Sequence, residues 1–363
     1  MEKLTRFSLV PIGYWASGPK TGGAEDDDFD RGLLPFEVVP NVFIENVSSL
    51  IRKGEFDIYE SFTGQYAVRE LERIQYVIIH RYPEYSTDPI TGQILVGSTL
   101  TEQSRSTVHQ IAACLRLIRP MRVLAQFCEG NVAEDGSLYN IGFANPILDE
   151  SLPISHRQFA LHTVHAEALR DIGPMYMQAM TGEFWKFRMA AQMHEAGYFQ
   201  HQDWKVRFFL WTSALEALFT TQNPNRQHSG SVVAKGRIKD LLGAKTLIYP
   251  PDEYLSSLTP CHSPSKTSWT SCTAFGTTSR TATSSRRTTT NSRAARSSGN
   301  AFAEMLTEAI SFIVRRSLLA ILKRGLLPHF NDTASSEAYF VSNKLTKDEI
   351  SNRNGTSYYK CPT

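Results

Sequence analysis

Between residues 261 and 300 the chain has no Leu, Ile, Val, Met, Asp or Glu, and half of the stretch is Ser or Thr. Without aliphatic side chains it cannot supply the apolar stripe of a core helix. Cysteine is also sparse. Cys114, Cys128, Cys261, Cys272 and Cys361 contain no C-x-x-C pair and no even framework, which argues against a zinc ribbon or a disulfide scaffold. No apolar run reaches membrane-spanning length, since even the apolar segment near 310–322 carries Arg315 and Arg316. The opening MEKLTRFSLVPIGYW lacks the apolar core of a signal peptide. A cytoplasmic protein without a membrane partner is expected.

What is present is ordinary for a globular protein: 41% hydrophobic and 20% charged residues in 363, enough for two or three domains. The basic balance is local. Residues 261–300 hold six Lys or Arg and no acid, so removing them from the net charge of +2 leaves the rest of the chain at −4. That weighs against the folded part being a strong electrostatic binder of nucleic acid. The acidic run Glu25-Asp26-Asp27-Asp28 lacks the glycine turn and spaced ligands of a calcium loop and reads as a solvated loop. No cofactor is expected.

The first half mixes strand and helix signals. FEVVPNVFIE and YVIIHRY have strand composition. STVHQIAACLRLIRPMRVLAQF, from Ser106, reads as a helix with Ser106 as N-cap and a kink or break at Pro120. Its Arg116, Arg119 and Arg122 could contact phosphate, but a solvated helix face is the expected reading.

From residue 156 the pattern becomes helical. SHRQFALHTVHAEALRDIG is expected to end at Gly173-Pro174. DWKVRFFLWTSALEALFTT repeats apolar residues at three-to-four spacing through Val206, Phe209, Leu210, Ser213, Ala217 and Leu218. Phe208, Trp211, Leu215 and Phe219 widen that stripe, so the helix is expected inside a bundle, with Glu216 in a structural ion pair. VVAKGRIKDLLG should stop at Gly243, and a last helix from 301 to 327 should close near Gly325. His162 and His165 lie one turn apart, yet no third ligand is near.

The expected fold is therefore mainly α. A smaller α+β region at 1–155 precedes an up-and-down helical bundle at 156–330, and 331–363 forms a polar, loosely attached tail.

An antiparallel bundle with one helix missing leaves a hydrophobic trough. The place for that helix is 261–300, which as written is expected to be disordered. Serine, threonine and arginine clusters are typical of GC-rich DNA translated out of phase. Taking the last base of each codon with the first two of the next, wobble freedom allows 262–286 to be re-read as PLAIKDVVDELYCLRNHIAHGDKLP. The Trp269 codon must end in G, which makes the following shifted codon Asp. The Phe275 codon ends in a pyrimidine, so the codon overlapping Gly276 is Arg or Trp. The re-read string has helical apolar spacing and contains R-N-H-I-A-H.

With that string in place, RFFLWTSALEALFTT, SVVAKGRIKDLLG and EAISFIVRRSLLAILKRGLL make residues 156–330 resemble the HEPN superfamily, in particular bacterial proteins with an Apea-like HEPN domain. The resemblance implies a dimeric helical bundle whose Arg-x4-6-His motifs line a shared cleft. It implies metal-independent cleavage of RNA in toxin or antiphage systems, or binding of nucleotides or RNA alone. A histidine would move protons near neutral pH, and an arginine would hold charge on the phosphoryl oxygens.

Here the motif positions are occupied by Gly276, Thr277 and Thr281. Glycine cannot neutralise a phosphate, and threonine does not titrate near neutrality. The chain as written is expected to lack ribonuclease activity, while Trp211, Leu215, Glu216 and Phe219 keep structural roles in the bundle. A second reading is a non-catalytic module whose basic 261–300 segment binds nucleic acid or an acidic protein. A third is a metal enzyme using His156, His162, His165, His194 or His201.

Overall fold

The structure is a computed structural model, and it describes residues 5–12, 33–46, 50, 76–87, 94–119, 125–147, 163–199, 204–220, 230–243 and 292–342. The chain divides into two compact units, Met1–Thr181 and Gly182–Thr363.

The first unit is built on a six-stranded antiparallel sheet in the order β2-β3-β4-β1-β7-β8. Its strands are β1 (Thr5–Ile12), β2 (Phe36–Val39), β3 (Val42–Asn46), β4 (Tyr76–Pro83), β7 (Ala125–Val132) and β8 (Leu138–Ile147). A separate two-stranded ribbon joins β5 (Tyr85–Thr87) to β6 (Ile94–Val96). FEVVPNVFIE folds as the β2–β3 hairpin. Its Asn41 takes φ 66, a conformation that asparagine tolerates better than most residues. The central strands β1 and β4 run antiparallel with Thr5 opposite Pro83 and Ile12 opposite Tyr76. Burial is continuous from Phe7 to Val10, where the polar Ser8 is enclosed with its apolar neighbours, and from Tyr76 to Ile79, where the sequence is apolar throughout.

Helix α1 (Ser98–Ile118) packs on β1 and β4. It begins eight residues before Ser106, whose hydroxyl instead accepts a hydrogen bond from Gln110 inside the helix. It ends before Pro120, because Arg119 already has the extended conformation a following proline demands, and Ala125–Phe127, read with this helix, belong to β7 instead. Arg116 is fully buried, which corrects the expectation of a solvated basic face. Helix α2 (Thr163–Thr181) packs on α1 and β2 and belongs to this unit. It runs through Gly173-Pro174 instead of stopping there. Pro174 is exposed, while a Cβ at Gly173 would come within 3.4 Å of Val38. Close packing of this helix outweighs the hydrogen bond lost at proline. The boundary between units therefore falls after Thr181 and not at 155.

The second unit contains α3 (Trp185–Phe199), α4 (Trp204–Phe219), α5 (Gly230–Leu242), α6 (Ser292–Lys323), a 3-10 turn (Leu327–Phe330) and α7 (Thr333–Ser342). α6 starts nine residues upstream of the expected 301, so the Ser/Thr/Arg-rich stretch is helical over 292–300. Ser292 followed by Ala294 and Ala295 is a favourable helix opening, which the count of missing aliphatics conceals. From Ala309 to Val314 and from Ser317 to Leu322 every residue is buried, so α6 is the central helix of the unit. Gly325, at φ 64, closes it. The amide of Leu326 donates to the carbonyl of Ile321 at 2.9 Å and that of Gly325 to Leu322 at 3.0 Å, the two bonds of a Schellman motif. α5 ends as expected at Gly243 (φ 91), whose amide donates to Lys239.

Residues 331–342 depart from the expected loose tail. α7 buries Ser336 and Phe340 within this unit. Among the described residues no helix is long and apolar enough to cross a membrane.

Candidate functional site

The motif positions Gly276, Thr277 and Thr281 lie outside the described residues, as do His156, His162 and His201. His165 sits buried on α2 in the first unit and His194 buried on α3 in the second. Among the described residues no three His, Cys, Asp or Glu side chains cluster as a metal site.

In the second unit the described polar groups centre on the packing of α3, α4 and α6. Trp211 is 1% exposed, and its indole N–H donates to the His194 carbonyl at 2.9 Å. A Cβ at Gly197 would lie 2.2 Å from Trp211 Nε1, so only glycine at 197 lets α4 approach α3 this closely. On α6, Ser311 lies 3.3 Å from the Tyr198 hydroxyl and 3.4 Å from His194 Nε2. One turn earlier on the same face, Glu308 receives Arg207 of α4 at 3.4 Å. His194, Tyr198, Trp211 and Ser311 are all buried, so this polar set holds three helices in register and offers no open face to a substrate.

The four side chains expected to hold the bundle divide. Trp211 and Phe219 are buried, and Leu215 is half-buried. Glu216 is exposed, and the buried carboxylate–cation pair expected of it is supplied by Glu308 with Arg207. The other half of the apolar stripe does not enter the core. Phe209 is 66% exposed and Val206 is 40% exposed, with Leu210, Ser213 and Ala217 half-buried. The inward face of α4 is instead Arg207, Trp211, Ala214 and Leu218, which follows the same helical spacing.

Two further polar clusters escaped the sequence. In the first unit, His80 and Tyr82 of β4, two residues apart and so on one face, meet α1. His80 Nδ1 is 2.9 Å from Ser104 and the Tyr82 hydroxyl 3.1 Å from Thr101. Burial lowers the pKa of His80 to about 4. Burial, and then the charge of Arg116, lower that of His109 to about 4. Both rings are therefore neutral near pH 7 and fitted for packing. Cys114 is buried on α1, and burial pushes its thiol pKa up, so it is a poor nucleophile.

In the second unit, Lys186 of α3 donates to Ser336 at 3.1 Å and to the Thr220 carbonyl at 3.3 Å. Burial lowers its pKa to about 8, assisted by Arg237 and opposed by Glu337 and Asp332. The amine–hydroxyl spacing suits a serine–lysine catalytic pair, but Lys186 is 1% and Ser336 0% exposed, which keeps a substrate away from both.

No family model matches the chain, and neither a curated protein nor a solved structure matches it.

Proposed function

We propose that the chain is a HEPN-type RNA-binding protein of a bacterial defence or toxin-like system that has lost the nuclease step. It self-associates through its helical unit and uses no cofactor. Support comes from one arrangement: helices α3, α4 and α5 pack on a central α6, whose start at Ser292 directly follows the segment that lacks the motif. The half-exposed α4 leaves Phe209 and Val206 available for a second copy. Loss of catalysis follows from chemistry, because Gly276 and Thr281 offer neither a cation nor a titratable ring.

The test is RNA binding at several salt concentrations, with the full chain and with a chain lacking 261–291. That deletion leaves α6 intact and removes Lys266, Arg280, Arg286 and Arg287. Binding that persists with a shallower salt slope places the RNA surface on the helical unit. Each lost phosphate contact changes the slope by roughly 0.7 for a single strand. Binding abolished by the deletion, with the helical fold retained, favours the non-catalytic module that works through its basic segment. No binding by either chain removes RNA from both readings.

Self-association has its own expected outcome. Phe209→Glu should weaken dimerisation at least about tenfold in sedimentation equilibrium, since it places a charge where an apolar contact is needed. Unchanged association would move the interface off α4.

A further inference from the structure

α7 is a ten-residue helix, short enough that in isolation it would be marginal in water. Its place depends on what it touches. Phe340 packs with its ring centroid 6.0 Å from that of Phe219 and 6.1 Å from that of Phe330, and the Arg237 guanidinium lies over its ring at 5.1 Å. Ser336 accepts from Lys186 and donates to the Asp332 carbonyl at 3.3 Å. Glu337 receives Arg237 at 2.5 Å.

The two cations meet at one feature of the fold. The C-terminal carbonyls of a helix have no partners within it and carry partial negative charge. At the end of α4, Arg237 from α5 donates to the Phe219 carbonyl at 2.9 Å, and Lys186 from α3 donates to that of Thr220. α7 covers both cations and brings Glu337 and the hydroxyl of Ser336 to them. Asp332 is at its N-terminus, accepting the Ser335 amide at 2.7 Å in the manner of an N-cap.

We propose that α7 is a detachable latch: it closes over the Lys186–Ser336 contact and the Arg237–Glu337 pair, and it opens while α3, α4 and α6 stay folded. Its anchors are the Phe340 ring, the Tyr339 ring stacked on His329 at 4.9 Å between centroids, and a few polar contacts, whereas every residue of α6 from Ser317 to Leu322 is buried, so α7 belongs to the low-stability end of this unit. Opening returns Lys186 to water.

The direction of the pH dependence follows. Lys186 titrates at about 8 when enclosed and near the ordinary 10.5 when exposed. Between those values the open form binds more protons, so opening becomes rarer as the pH rises above about 8 and is flat below it. The groups facing the amine are Arg237 from α5, with Asp332 and Glu337 from the latch itself. None of this depends on the proposed RNA function.

Amide hydrogen exchange of the full chain, read at 335–342 and along α6, tests the latch. Corrected for intrinsic exchange, α7 should open without α6, and its opening constant should fall by up to about tenfold from pH 8 to pH 9. Lys186→Met, of similar length, should remove that pH dependence. Glu337→Gln, a milder change, should raise α7 opening several-fold and keep it. Exchange of α7 only together with α6 would overturn the proposal. So would a pH dependence unchanged in Lys186→Met, or α7 opening unaffected in Glu337→Gln.

Discussion

Trp211→Ala is expected to cost the helical unit about 3–5 kcal/mol, enough to leave it largely unfolded if its stability is typical of a domain. The indole is one of the largest fully buried side chains, and it lies between His194, Tyr198 and the backbone of Gly197. Alanine leaves a cavity and strips the His194 carbonyl of its donor. Trp211→Phe should cost less, since it keeps part of the ring volume, although it loses the N–H and leaves a smaller cavity. Helical circular dichroism against denaturant measures both, and a Trp211→Ala chain as stable as the parent would remove α4 from the core. Gly197→Ala probes the same contact from the other side. Its Cβ would fall 2.2 Å from the indole nitrogen, so it should destabilise even though alanine is the better helix former.

The second large effect is on the sheet unit and is driven by acid. His80 and His109 both titrate at about 4 in the folded chain, against 6.5 when exposed. Between those values the unfolded state binds more protons. Their contribution is complete above about pH 6.5 and is lost as the pH falls toward 4. Each ring accounts for at most about 3 kcal/mol across that window, so this unit should denature well above the pH at which its carboxylates titrate. His80→Gln keeps a hydrogen-bonding group near Ser104 and should flatten the decline between pH 6.5 and 4. The check is the denaturation midpoint of parent and variant across that range. Equal acid sensitivity in the two would mean that His80 does not govern it.

Much of the architecture was readable because burial wrote it in apolar residues. The strand character of β2, β3 and β4, the end of α5 and the capped end of α6 all carry their signals locally. The misreadings share a cause, which is that the deciding partner sits on another element. α1 starts at Ser98 because Thr101 and Ser104 turn inward to Tyr82 and His80, and a polar inward face leaves no apolar period to read. α2 passes through Pro174 because Gly173 is pinned against Val38 and Ile111. α4 is apolar nearly all round, yet only one side is covered, and nothing within WKVRFFLWTSALEALF tells which. α7 looks like polar tail until Lys186 and Arg237, from distant segments, are brought to it.

The resemblance to HEPN proteins comes from what residues 262–286 would spell in another phase, and Gly276 and Thr281 lie outside the described residues. Helices α3, α4 and α5 pack on α6, and the proposed RNA chemistry depends on restoring the motif.

The decisive measurement therefore sets two proteins on one RNA in the presence of a chelator. The first is the chain as it stands; the second carries the re-read string in place of residues 262–286. The account requires the first to leave the RNA intact and the second to cleave it, with cleavage lost when the restored arginine at 276 or histidine at 281 is replaced. Cleavage by the unaltered chain would contradict it, and so would a restored chain that folds, dimerises and leaves the RNA whole.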